Sequence, residues 1–171
     1  MTTLGPPRQR VAVALVALGV MAAGGGCSDD DDSAGRLLEL RPVVSSNPAP
    51  CPSKAPAKDE LVLPLTSGDK TECLELGRPV VDARDVRSAT VGETPAKEPA
   101  LSVVLGAIGG ANLDGFAARN QGQRLAIVAD GQLVSAPVLQ FPSFAGRVQV
   151  TGLSKEKTDD LFRRLNKLIK G

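Results

Sequence analysis

Residues 124–138 read Arg-Leu-Ala-Ile-Val-Ala-Asp-Gly-Gln-Leu-Val-Ser-Ala-Pro-Val and carry the strongest structural signal in the chain. From Arg124 to Asp130 a short apolar run predicts a buried strand. Asp130-Gly131 then predicts a tight hairpin, because both central positions of a two-residue turn need positive φ. Gln132 to Leu139 is the returning strand, ended near Pro137, which has no N–H to give to a ladder.

Working outward from the hairpin, Gly146-Arg-Val-Gln-Val-Thr151 alternates and predicts another strand, after which Gly152 turns the chain. Ser154 caps a final helix. Glu156, Asp159 and Asp160 stand early in it and Arg163, Arg164, Lys167 and Lys170 late, both in keeping with the helix dipole. Its apolar face, Leu161, Phe162, Leu165, Leu168 and Ile169, is expected to pack on the core rather than offer a partner groove. On the upstream side, Ala100 to Ile108 predicts a buried strand broken by Gly109-Gly110. Asn112 or Asp114 is expected to cap a helix through about Asn120, with Leu113, Phe116 and Ala117 on one face. Strand, helix, hairpin, strand and helix in that order imply an α+β fold, with helices on one face of a mostly antiparallel sheet.

Residues 36–99 are less regular. Leu37 to Val44 predicts a first strand, in which Pro42 marks either an edge or the point where pairing stops. Residues 45–58 hold Pro48, Pro50, Pro52 and Pro56 and predict a loop around Cys51. Leu61 to Leu65 is a short extended piece, Glu72 to Val81 is mixed, Val86 to Val91 is a strand and 92–99 a second loop. The expected organisation is a leader at 1–26, a tether at 27–35, strands and Pro-rich loops at 36–99, and an α+β domain at 100–171.

The leader is predicted from Arg8 and Arg10 followed by the apolar run Val11 to Ala23, too short for a comfortable membrane span and right for an export signal. Small residues Gly25 and Gly26 precede Cys27, which resembles the lipobox of bacterial lipoproteins. The resemblance implies diacylglyceryl transfer to the Cys27 thiol, removal of residues 1–26, and further acyl chains such as palmitate; several chains on one Cys anchor stably where one would not. An ordinary signal peptide, or an uncleaved anchor with Cys27 incidental, is the alternative. Asp29-Asp30-Asp31-Asp32 follows and reads as a solvated, self-repelling tether. It lacks the alternating ligands and central Gly of a calcium loop.

With Cys27 lipidated, Cys51 and Cys73 remain of the three cysteines. In an exported chain they read as one disulfide, two free thiols being the alternative. Among 171 residues there is no His, Trp or Tyr. The commonest general base and zinc ligand are therefore missing, and Ser135 has neither a nucleophile elbow nor a histidine to activate it. A pairing of Ser135 with a lysine, Lys54, Lys58 or another, is a formal route to catalysis. Gly106-Ala-Ile-Gly109-Gly110 lacks the Lys-Ser/Thr of a phosphate loop and reads as a turn. Loss of Arg8 and Arg10 with the leader leaves 18 bases against 19 acids, no footprint for nucleic acid or for anionic membranes. No enzyme activity, cofactor, metal or nucleic-acid partner is expected; the partner is expected to be a protein.

The run 124–138, with its Asp-Gly and Val-Ser-Ala-Pro-Val, resembles the head subdomain of the first periplasmic domain of SecD, the accessory membrane protein of bacterial secretion. Gly146 to Gly152 resembles the Gly-rich strand and turn that come next there, and the last helix the family's closing helix. The resemblance spans about 112–168, with a fainter likeness through Glu39 to Val44 and the cysteine region. It implies contact with emerging preprotein or the secretion machinery. The membrane-embedded motor of full-length members has no counterpart in the sequence, so proton-driven activity is not implied. Asp130, Gly131, Ser135, Ala136, Pro137, Gly146 and Gly152, the matching residues, are expected to determine the fold rather than to catalyse. A structural accessory that docks on another envelope protein, through the last helix or loop 92–99, is the alternative function.

Overall fold

A computed structural model of the chain describes residues 34–52 and 60–171. Nine strands and two α-helices run in the order β1 (Leu38–Pro48), β2 (Leu61–Ser67), β3 (Lys70–Leu76), β4 (Val81–Asp82), β5 (Val86–Glu93), β6 (Pro99–Leu105), α1 (Ala107–Arg119), β7 (Leu125–Ala129), β8 (Gln132–Ser135), β9 (Arg147–Thr151) and α2 (Lys155–Lys170). The fold is α+β and every strand pair among the described residues is antiparallel. The strands divide into two sheets where the sequence suggested one. The first has the order β2-β3-β1-β7-β8 with β4 also on β1, and the second is β5-β6-β9.

The apolar run of β7 explains the first sheet. All five of its residues are buried. Leu125, Ile127 and Ala129 enter the main core, which Leu113 of α1, Leu161 and Leu165 of α2, and Leu101, Val103 and Val150 of the second sheet complete. Ala126 and Val128 point the other way, into a smaller core with Leu74 and Leu76 of β3. A strand with both faces covered needs no polar alternation. The outer strands β2 and β8 pack together across this small core, so the sheet curls on itself.

β1 lies in the middle of this sheet, paired with β7 on one side and with β4 and then β3 on the other, so the edge-strand reading of Pro42 is corrected. Val43 N donates to Arg124 O on the β7 side and Pro42 O accepts from Gly77 N on the opposite side. The missing donor of Pro42 thus falls where β4 gives way to β3, and pairing does change there. Residues 45–48, read as loop, continue β1 against Glu72–Glu75 and Cys73. The loop read at 92–99 is a tight β5–β6 hairpin tip, closed by Thr94 N on Glu98 O at 2.9 Å.

Two further corrections concern α1. It starts at Ala107 with Gly106 as N-cap, so Gly109-Gly110 lies inside the helix instead of breaking a strand. The reason is a close approach: a Cβ on Gly109 would sit 2.6 Å from the Cβ of Asp85. Glycine here admits the 3-10 turn Ala83–Asp85, whose Asp82 N-cap and Asp85 form a capping box. Neither Asn112 nor Asp114 caps the helix; both lie inside it. The predicted cap of α2 is present, Ser154 Oγ accepting from Lys157 N at 3.3 Å. Its apolar face is spent on the core, with Leu161 and Leu165 fully buried. No helix among the described residues is long and apolar enough to cross a membrane.

Candidate functional site

The returning strand β8 stops at Ser135, short of the predicted Leu139. Ala136 O is taken by Arg124 Nε at 3.1 Å and Pro137 O by Leu125 N at 2.9 Å. Beyond a single bridge between Arg124 and Val138, the chain swings away from β7 as Val138-Leu139-Gln140-Phe141. Leu139 is buried, its N–H on Gln123 O at 2.8 Å. Val138 and Phe141 are 49% and 67% exposed, unusual for large apolar side chains.

The segment is held from α1. Phe144 N donates to Asp114 Oδ1 at 2.7 Å and Ser143 Oγ to Oδ2 at 3.0 Å. This clamp is the role of Asp114. Gly146 comes next at φ 66°, its Cα facing a close approach to Gly110 of α1, and its carbonyl accepts from Leu105 N at 2.8 Å.

Between this segment and β9 lies an apolar groove of about 370 Å³. Its walls include Pro137, Val138, Phe141 and Phe144 on one side and Val148 and Gln149 on the other, and Leu40, Leu113, Leu125 and Ile127 reach it from the core. Arg147 is the one charged residue in the lining. Among the described strands β9 pairs only with β6. Gly146 O bonds to Leu105 N, so residues 146, 148 and 150 address β6 and the backbone of Gln149 faces outward along the groove. The groove closes where Gly152, at φ 90°, meets Val134 of β8, its Cβ position 3.6 Å from Cγ1. The site therefore offers apolar surface beside an unpaired strand edge, an arrangement suited to an extended peptide.

The residues singled out in sequence fall into two sets. Pro137 lines this groove; Gly146 and Gly152 bound the strand β9 beside it, and Ala136 packs against the smaller core. Asp130 and Gly131, at φ 50° and 72°, form the predicted hairpin turn at the other end of β7, where Asp130 pairs with Arg164 of α2 at 2.6 Å. Ser135 lies in β8 opposite Ile127. Cys51 and Cys73 are joined, Cα to Cα 5.3 Å, at the far side of the first sheet. Cys27 and the Asp29–Asp32 run lie outside the described residues, as do Lys54 and Lys58. Val138, Phe141, Phe144 and Gln149 were not singled out as site residues. For Val138 and Phe141 the signal was an apolar run lodged between Pro137 and Pro142, where no continuous strand could use it; Phe144 and Gln149 carried none.

Two carboxylates elsewhere are tuned. The hydrogen bond from Arg124 (2.7 Å) and then that from Ser46 hold Glu72 below the ordinary glutamate range, binding β1, β3 and β7 together. Burial alone would raise Asp82, but the side-chain and backbone bonds of Arg84 outweigh it and hold Asp82 low. Neither borders the groove. Among the described residues no group of three metal-ligating side chains comes together.

Fold and groove together define a two-sheet α+β module with an apolar cleft in which Arg147 is the one charged lining residue. A family model described as the SecDF P1 head subdomain matches residues 60–167, and the chain belongs to that family. It is 35% identical over 83 residues to protein translocase subunit SecD of Treponema pallidum (strain Nichols), covering 48% of this chain and 14% of that protein. It is 34% identical over 94 residues to the SecD of Aquifex aeolicus (strain VF5), covering 55% and 18%. The chain thus spans less than a quarter of the length of the curated relatives it matches. A crystal structure of SecDF in a super-membrane-facing form shares the fold at TM-score 0.55 and 20% identity, over 84% of this chain and 21% of that one. A structure of SecDF, described as a membrane component that enhances protein export, does so at 0.55 and 19%, over 93% and 72%.

Proposed function

We propose that this chain is a non-enzymatic binding module on the extracytoplasmic face of the cell membrane, anchored by lipid at Cys27, which holds extended apolar stretches of exported polypeptides. The observation that carries the reading is the groove beside β9. Phe141 and Val138 offer apolar contact and the outward N–H and C=O of Gln149 offer main-chain pairing, which together favour a peptide in strand conformation. Membership of the SecDF P1 head family supports the choice of exported chains, since its named relatives are protein translocase subunits. Residues 1–26 as leader and Asp29–Asp32 as spacer suit a domain held just outside the membrane.

The test is binding of the full chain to an array of extended apolar peptides, with charged sequences as controls. Phe141→Asp places a charge in the groove at an exposed position, and a loss of about ten-fold or more in affinity, with the melting temperature kept, is expected. Binding no better to apolar than to charged peptides would remove the reading. Lipidation is tested by labelled palmitate, expected on the native chain and absent from Cys27→Ser.

A further inference from the structure

The second sheet has two open sides among the described strands. β9 borders the groove, and β5 ends the opposite side, pairing only with β6. Leu105 N bonds to Gly146 O, so Leu101, Val103 and Leu105 turn their main-chain groups toward β9, and Ala100, Ser102 and Val104 turn theirs toward β5. The β5 partners of these last three are Gly92, Thr90 and Ser88. Ala89, Val91 and Glu93 therefore present N–H and C=O outward, to no other described strand. No proline or lysine interrupts Val86–Glu93, and a Cβ on Gly92 would meet nothing within 4 Å. An edge of this kind accepts another strand unless something blunts it. α2 packs on β5 and β6 from the core side, where Ala89 and Val91 are half-buried, and Ser88, Thr90 and Gly92 stay exposed on the other face.

We infer that β5 pairs with β5 of a second copy of this chain, antiparallel about a two-fold axis at Thr90. The stretch reads Arg87-Ser-Ala-Thr90-Val-Gly-Glu93, and in that register it is complementary to itself. Arg87 of each copy meets Glu93 of the other, and the outward groups of Ala89 meet those of Val91. Ser88 falls opposite Gly92, and Thr90 opposite Thr90. The bulge between Val86 and Ser88 puts Arg87 on the same face as Ala89, Val91 and Glu93, so the opposite charges share a face. Both side chains are exposed and make no ion pair or hydrogen bond among the described residues. Registers slipped by two residues keep the main-chain bonds but lose both charge pairs, so the charges select this one. The contact is isologous, as a two-fold requires, and it joins two three-stranded sheets into one. Both β9 edges stay free at the ends of the joined sheet. One strand pair buries less than a standard interface, so the dimer is a weak one. The inference goes beyond peptide capture and rests on no part of it.

In the full chain carrying Cys27→Ser, Thr90→Cys should form a disulfide-linked dimer under mild oxidation at high protein concentration. The axis sets position 90 opposite itself in a non-hydrogen-bonded pair, with Cα atoms about 4.5 Å apart, inside the disulfide range. Ser102→Cys, exposed on the same face but one strand in from the edge, should link several-fold more slowly. Ser88→Cys should link to Gly92→Cys in a mixture and not to itself. Arg87→Glu sets acid against acid at both ends and should slow the Thr90→Cys linkage several-fold, and adding Glu93→Arg should restore it. Equal rates for Thr90→Cys and Ser102→Cys would overturn the inference. So would linkage that Arg87→Glu leaves unchanged, or that the double reversal fails to restore. Apolar peptides should bind Arg87→Glu as they bind the native chain, which separates this test from that of the proposed function.

Discussion

β7 and β9 are both five-residue strands, and they are used in opposite ways. β7, Leu-Ala-Ile-Val-Ala, is paired on both sides by β1 and β8 and is buried throughout. β9, Arg-Val-Gln-Val-Thr, is paired on one side only among the described strands, and of its residues Val150 alone is buried. The first sheet spends its strands on two cores and on buried pairs, whereas the second leaves an edge beside an apolar groove. Substitutions around β7 should therefore cost stability, and substitutions around β9 should cost binding.

The largest effect is expected at Arg41. Arg41 stands on β1, the strand that pairs with β7, and its guanidinium satisfies buried Glu39 and donates to Gly77 O at 2.8 Å. Arg41→Ala leaves a buried carboxylate unpaired and should cost about 3–5 kcal/mol in denaturant unfolding. A cost under about 1 kcal/mol would mean that the pair is solvated and β1 is no central strand. Next is the Cys51–Cys73 bridge, which closes a separation of 22 residues. Replacing both by Ala should cost about 3 kcal/mol in the chain-entropy model, measured by thermal or denaturant unfolding.

Gly109→Ala gives a sharper reading of sign. In an open helix the change gains up to about 1 kcal/mol. Here the new Cβ meets the Asp85 side chain, and a net loss of about 1–3 kcal/mol is expected. A stabilised variant would show that α1 sits further from the 3-10 turn. Smallest is Glu72→Gln, expected to cost under about 1 kcal/mol at neutral pH, because the Arg124 pair is partly exposed. Glu72 titrates below its unfolded range when folded, so its contribution is complete above that range and fades as pH falls through the lowered value. The stability difference between wild type and Glu72→Gln should therefore be flat from about pH 7 to 5 and shrink in more acidic solution.

The same contrast marks how much was legible in the sequence. Buried β7, the Asp130-Gly131 turn and the capped α2 were readable because local chemistry and tertiary use agree there. β1 was misplaced because a Pro in a central strand is tolerable only where the neighbouring partner changes, a fact of topology and not of the residues themselves. The start of α1 was missed because Gly109 and Gly110 serve close approaches to Asp85 and Gly146, far away in sequence. The division of the strands into two sheets depends on which edges meet, and apolar periodicity does not specify that. The groove was hidden for a related reason. Val138 and Phe141 look like the end of a strand until Arg124 and Pro137 are seen to stop β8 early.

The outward edge of β9 offers the most direct measurement. Amide hydrogen exchange of the full chain should be followed with and without a saturating extended apolar peptide. Gln149 N–H, exposed in the free chain, is predicted to become strongly protected on binding while the amides of Leu125 to Ala129 stay as slow as before. Peptide binding that leaves Gln149 unprotected, with protection arising elsewhere, would contradict the groove as the site.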